Sequence, residues 1–154
     1  MNPERVEELI KNIEEMKHDV DEKTVTKLEL DKYIRIIKRL DSFSTNCEEC
    51  QKYLVELENH FENISSQVHQ FTKEDYKNHN TKTNQVTSHL QKTHHLTSEN
   101  YYMTIFMSVG ISLGIPIGLL LFDNVALGMP IGMSIGIAIG TGLDADAKKR
   151  GKII

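Results

Sequence analysis

The first 109 residues contain no glycine, and none of the residues between Pro3 and Pro116 is proline. Those absences exclude a turn-rich β domain and favour helix throughout the segment. Tryptophan is missing altogether, and only two cysteines occur, Cys47 and Cys50, too few for a disulfide-stapled framework. Charge is missing from Tyr101 to Phe122 and again from Val125 to Leu143. A helix rises about 1.5 Å per residue, so each uncharged run can cross roughly 30 Å of hydrocarbon. No apolar segment follows Met1-Asn2-Pro3-Glu4-Arg5, so a cleavable signal peptide is not expected. The net charge of −4, without a one-sided Lys/Arg stripe, gives no basis for a nucleic-acid partner.

What is present divides the chain in two. The polar part carries helical periodicity. Val6, Leu9, Ile10, Ile13, Met16 and Val20 predict a first helix, with Pro3 suited to its opening turn. Leu28, Tyr33, Ile34, Ile37 and Leu40 predict a second over about Thr24 to Leu40. Ser42-Phe43-Ser44-Thr45-Asn46 reads as a break, with Thr45 or Asn46 as the next N-cap. Phe43, Cys47, Cys50, Leu54, Leu57, Phe61, Ile64, Val68 and Phe71 then alternate steps of four and three, a heptad seam on a long third helix. A weaker fourth helix is expected from about Lys73 to His95, anchored by Tyr76, Val86 and Leu90; a flexible stalk is the alternative. Thr97 or Ser98 is the expected cap of the first apolar span, with Tyr101 and Tyr102 at the interface.

In the apolar part, Gly110, Gly114 and Gly118 form one column and Gly128, Gly132, Gly136 and Gly140 another. From Ser108 to Gly118 and from Ala126 to Gly142, small residues or proline alternate with bulky ones. Gly110–Gly118 and Gly128–Gly136 align as an internal repeat, one copy per span. Alternation by two also fits a strand, but a membrane strand needs only about 9–11 residues, so helices are expected. On a helix, the glycines take one face and the Ser/Pro/Ala residues the opposite one. Two close-approach faces predict a helix packed on both sides, as in a ring; the alternative is a hairpin that packs only on itself.

Pro130-Ile-Gly-Met-Ser-Ile-Gly-Ile-Ala-Ile-Gly-Thr-Gly142 resembles the spans of glycine-zipper membrane proteins. Its alternation also resembles the inner helix of the rotor-ring proteolipids of ATP synthases. The resemblance implies close helix packing and self-association over about the last 45 residues. It does not imply ion transport, because neither span carries a carboxylate.

Cys47-Glu-Glu-Cys50 is the one motif with ligand chemistry. Two thiolates three residues apart on a helix can share a Zn²⁺, with His89, His94 or His95 completing the set. The four-residue candidate is Cys47, Cys50, His89 and His94, at the base of a hairpin turning near residues 70–73. A redox thiol pair and plain core packing are the alternatives. No catalytic constellation is visible, so an enzyme is not expected; Glu7-Glu8, Glu14-Glu15 and Glu48-Glu49 read as solvated helix faces.

The expected fold class is all-α. Residues 1–98 read as a cytosolic domain of three or four helices, 99–143 as a transmembrane helical hairpin and 144–154 as a basic cytosolic tail. Lys148, Lys149, Arg150 and Lys152 set both termini in the cytoplasm, with the plasma membrane as the expected location. Asn63-Ile64-Ser65 is then a chance match to a glycosylation sequon. Two functions follow as expectations, the first preferred because the small-residue pattern is more elaborate than anchoring requires, the second as its alternative. One is a homo-oligomer in the lipid bilayer that perforates or scaffolds it under control of the cytosolic helices. The other is a tethered adaptor that binds a cytosolic protein partner under zinc or thiol control.

Overall fold

The computed structural model describes residues 3–154, except for the side chains of Pro3 and His69; Met1 and Asn2, and what their sequence implied, lie outside the described residues. Among the described residues there are seven α-helices and no strand. They are α1 (Pro3–Asp19), α2 (Glu22–Lys27), α3 (Leu30–Ser44), α4 (Glu48–Gln67), α5 (Lys73–His94), α6 (Tyr101–Phe122) and α7 (Val125–Lys149). The chain divides into two compact units, one of Met1–His94 with Ile154 and one of His95–Ile153.

In the first unit the apolar periodicity is spent on one core. Val6, Leu9, Ile13 and Met16 of α1 are buried, as are Tyr33, Ile34, Ile37 and Leu40 of α3. The heptad seam is buried along α4 at Cys50, Leu54, Leu57, Phe61 and Ile64. Each fully buried Leu or Ile contributes about 1.5–3 kcal/mol over leaving it in water. Helix α3 is the centre, lying against α1, α4 and α5.

The expected second helix is two helices. Asp21 caps α2 by accepting from the Thr24 N–H and hydroxyl, and Glu29 then takes a left-handed conformation, φ 46°, that turns the chain into α3. Helix α3 also runs past Leu40 to Ser44. The Ser42 and Ser44 hydroxyls donate to the Arg39 and Asp41 carbonyls at 2.8 Å, so this polar stretch is accommodated within the helix.

The weakest expectation, the fourth helix, is α5. Thr72 and Asp75 form a reciprocal cap at its start: the Thr72 N–H donates to Asp75 at 2.8 Å, and the Asp75 N–H donates to the Thr72 hydroxyl at 3.4 Å. Thr83, Val86, Thr87 and Leu90 are buried, so tertiary packing overrides the poor helix propensity of Thr81-Lys82-Thr83-Asn84.

Buried polar bonds tie these helices together. The Tyr33 hydroxyl donates to the Leu57 carbonyl at 2.6 Å. His79, 1 % exposed, faces the Leu28 carbonyl through Nε2 at 2.9 Å. A carbonyl only accepts, so Nε2 carries the hydrogen and Nδ1 is left to accept from His60 Nε2 at 3.2 Å. Burial pushes His60 down to about 4, and burial also lowers His79.

In the second unit the two glycine columns face each other. A Cβ added at Gly110 would run into the Gly132 carbonyl, one at Gly114 into the Gly128 carbonyl, and one at Gly118 would sit 2.7 Å from the Gly128 Cα. Gly136 and Gly140 meet the backbone of Phe106 and Met103. Backbone touches backbone along the hairpin, which only residues without side chains permit. Asp144 continues the column by one more step and is buried. Its carboxylate accepts from the Tyr102 N–H at 3.1 Å and the Met103 N–H at 2.9 Å. Asn100, in place of the expected Thr97 or Ser98, occupies the N-cap position of α6 without a side-chain bond; the Tyr101 N–H donates to the Ser98 carbonyl at 3.2 Å, and Asp144 satisfies the next two amides. Helix α7 continues past Leu143 to Lys149, and the Thr97 N–H donates to the Lys152 carbonyl at 2.8 Å.

Both helices are long and apolar enough to cross a membrane, and only 17 % and 22 % of their apolar windows are buried. A core helix of a soluble protein is mostly buried. Here Leu113, Leu120, Leu121 and Ile135 are more than half exposed, an apolar surface that suits hydrocarbon and not water.

Two expected outcomes follow from this packing. Gly132→Ala drives a methyl into a backbone carbonyl and should destabilise the hairpin in detergent unfolding by about 1–3 kcal/mol. Gly142→Ala, with nothing within 4 Å, should leave it unchanged or raise it by up to about 1 kcal/mol through helix propensity. Equal effects at both sites would remove the close-contact account.

The histidine pair sets an acid limit. His60 and His79 bind protons below their unfolded value of about 6.5, so the unfolded state takes up protons first as pH falls. Stability should decline from about pH 6.5 towards about pH 4, and His60→Gln should flatten part of that slope in melts followed by circular dichroism. An unchanged slope would mean that the pair carries none of it.

Candidate metal centre

Residues 45–50 fold into a helix start. The Asn46 N–H donates to the Phe43 carbonyl at 3.0 Å, closing the turn after α3. Cys47 is extended, φ −140° and ψ 108°, and its Sγ accepts from the Cys50 N–H at 3.4 Å. Cys47 is therefore the N-cap of α4, in place of the expected Thr45 or Asn46. Glu48 and Glu49 fill the acidic first turn favoured by the helix dipole. The cap and the helical turn set both sulfurs at the same end of α4.

Helix α5 supplies the facing groups. The turn at residues 68–72 reverses the chain, and the far end of α5 comes level with the start of α4. Helix α3 packs on both α4 and α5, whereas α4 and α5 meet mainly through side chains. Near this end those side chains include Cys47, Glu49, Cys50, Tyr53, His89 and His94.

His89 Nε2 lies 3.5 Å from Cys47 Sγ and 3.4 Å from Cys50 Sγ, and His94 Nε2 lies 3.1 Å from Cys50 Sγ. All four ligand atoms of Cys47, Cys50, His89 and His94 fall within 4.8 Å of one another. A tetrahedral ion with Zn–S of about 2.3 Å and Zn–N of about 2.0–2.1 Å holds its sulfur and nitrogen ligands about 3.5 Å apart. Three of the sulfur–nitrogen pairs are already near that spacing, so the cluster can hold a metal ion. His94 stacks on Phe43 with ring centroids 3.9 Å apart, and the Tyr53 ring lies 5.4 Å from His89.

Each residue of the candidate set is thus in the cluster. His95 is not; it follows α5 with φ 52° and is exposed. Cys50 is fully buried and Cys47 half-buried. Burial pushes the Cys50 thiol up to about 12, with Cys47 adding to the effect. Without an ion the thiol is neutral, and a bound cation must displace its proton.

The glycine columns were the other candidate set. Gly110, Gly114, Gly118, Gly128, Gly132, Gly136 and Gly140 are placed inside the hairpin contact, so that surface is occupied within one chain. The Ser108, Ser112, Pro116, Pro130, Ser134 face is exposed. Sequence reasoning missed the N-cap role of Cys47 and the reach of Asp144. The acidic pair directly after Cys47 signalled the first; nothing local signals the second. No protein-family model matches this chain, and no curated protein or solved structure does either.

The two roles of Cys47 separate by substitution. Serine is a preferred N-cap, so Cys47→Ser should keep α4 intact by circular dichroism. It removes a ligand, so Zn²⁺ or Co²⁺ affinity should fall by more than roughly a hundredfold, beyond the range for losing an outer partner. Retained affinity would remove Cys47 from the set.

Proposed function

We propose that this chain is a non-enzymatic, membrane-anchored adaptor. Helices α6 and α7 hold it in the bilayer, and the α1–α5 unit, tied by one Zn²⁺ on Cys47, Cys50, His89 and His94, binds a protein partner in the cytosol. The closure of the glycine columns on each other carries the choice over a perforating assembly. A glycine zipper that joined separate chains would need those columns open.

Two further observations support the anchor. The Ser108, Ser112, Ser134 and Thr141 hydroxyls donate to carbonyls of their own helices at 2.7–3.0 Å. With those hydrogens spent internally, the exposed face suits lipid and is a poor lining for a wet pore. The basic residues Lys148, Lys149, Arg150 and Lys152 favour cytosolic termini, and the loop between the spans has none.

Zinc is favoured by the donors, since two thiolates and two imidazoles in a tetrahedral frame select it over hard cations. With four protein ligands the site is closed, a structural role rather than a catalytic one. A place for the partner is the cavity of about 720 Å³ between α1 and α4. Glu8, Glu15 and Glu62 line it above the buried Leu9, Met16 and Phe61, and Arg5 is paired with Glu58, so its open surface suits a basic segment.

Sizing in detergent and dye retention in liposomes test the reading together. The protein should run as a single chain, and liposomes that contain it should keep a trapped dye. Release of the dye, or a stable species of several chains that Gly132→Leu disperses, would overturn the anchor in favour of the perforating assembly.

A further inference from the structure

The donor set leaves open what orients its rings. An imidazole bound through one nitrogen must carry its hydrogen on the other, and a free side chain is not fixed in that form. His89 has a partner for this. Its Nδ1 lies 2.9 Å from Glu49 Oε2 and, more distantly, 3.4 Å from the Thr93 hydroxyl of its own helix, while its Nε2 faces both sulfurs at 3.5 and 3.4 Å. An ionised carboxylate only accepts, so the hydrogen sits on Nδ1 and the Nε2 lone pair points at the centre.

We propose that Glu49 is a positioning residue of the metal centre, holding His89 in the tautomer and orientation in which Nε2 binds the ion. The inference rests on the zinc reading above. It gives the Cys47-Glu48-Glu49-Cys50 motif a division of labour. The two cysteines are ligands, and Glu49 lies between them on the same turn, within reach of the ring that arrives from α5. The His89 ring is only 7 % exposed and has Tyr53 and His94 as aromatic neighbours, so the carboxylate acts on a ring already confined. Glu48, one residue earlier, carries the same charge and is exposed. Charge alone therefore does not distinguish the two; the bond to Nδ1 does.

The size of the effect follows from exposure. Loss of an outer partner lowers metal affinity by 10–100-fold. The Glu49 side chain is 70 % exposed, so water competes for the bond and the low end, about tenfold, is expected.

The test uses the full chain in detergent, with Co²⁺ as spectroscopic probe and Zn²⁺ in competition against a chelator. Glu49→Ala should weaken both ions by about tenfold, and Glu49→Gln, whose amide oxygen still accepts, should fall between it and the wild type. Glu48→Ala should match the wild type. Nitrogen NMR of the metal-free protein should find His89 protonated on Nδ1, and Glu49→Ala should mix the two tautomers. If Glu49→Ala binds as tightly as Glu48→Ala, or leaves the His89 tautomer unchanged, the positioning role is wrong while the centre stands. If the wild type takes up neither ion, the centre itself is wrong.

Discussion

The first unit depends on how α4 is joined to α5. The two helices share α3 as a common support, but their backbones stay apart, and side chains must bridge the gap. One bridge is the His60–His79 pair, which ends on the Leu28 carbonyl beside the left-handed kink at Glu29. The other is the Cys₂His₂ cluster. The first is complete with hydrogen bonds alone. The second brings two sulfurs and two imidazole nitrogens to the spacing of a tetrahedral ion, and a cation binds all four more strongly than they bind each other.

The second unit solves the same problem in the opposite way. Along the glycine columns the contact surface has no side chains to offer. Gly110 and Gly114 admit the carbonyls of Gly132 and Gly128, and the helices meet along their main chains. In hydrocarbon the apolar side chains gain little by leaving lipid, so close main-chain contact is the favourable term that remains. Asp144 ends the column where side chains return, and its carboxylate meets the amides that begin α6. The charge at the end of one helix thus satisfies the start of the other.

Much of this was legible in the residues. The seam from Cys50 to Ile64 gave the buried face of α4, because a period of 3.5 leaves one stripe to bury. The apolar runs gave α6 and α7, because each is an uncharged run long enough for a helix that can cross hydrocarbon. The set Cys47, Cys50, His89 and His94 could be named from ligand chemistry and the expected turn near residues 70–73. Other features were not legible. The kink at Glu29 has no glycine or proline to mark it, and the burial of Thr83 and Thr87 runs against their polarity.

The sequence by itself determined that the chain is helical, that two helices can span a membrane, and that seven glycines form columns. These are properties of composition and period, and they hold whatever the neighbours are. Tertiary structure decided the partners. A glycine column fits another column of the same chain or of a second one equally well; the short link at Asp123 and Asn124 brings α7 back onto α6, and the columns meet within the chain. Two cysteines and several histidines are ligands only when a fold brings their atoms to one point. The turn into α5 does so for His89 and His94 and leaves His95 outside.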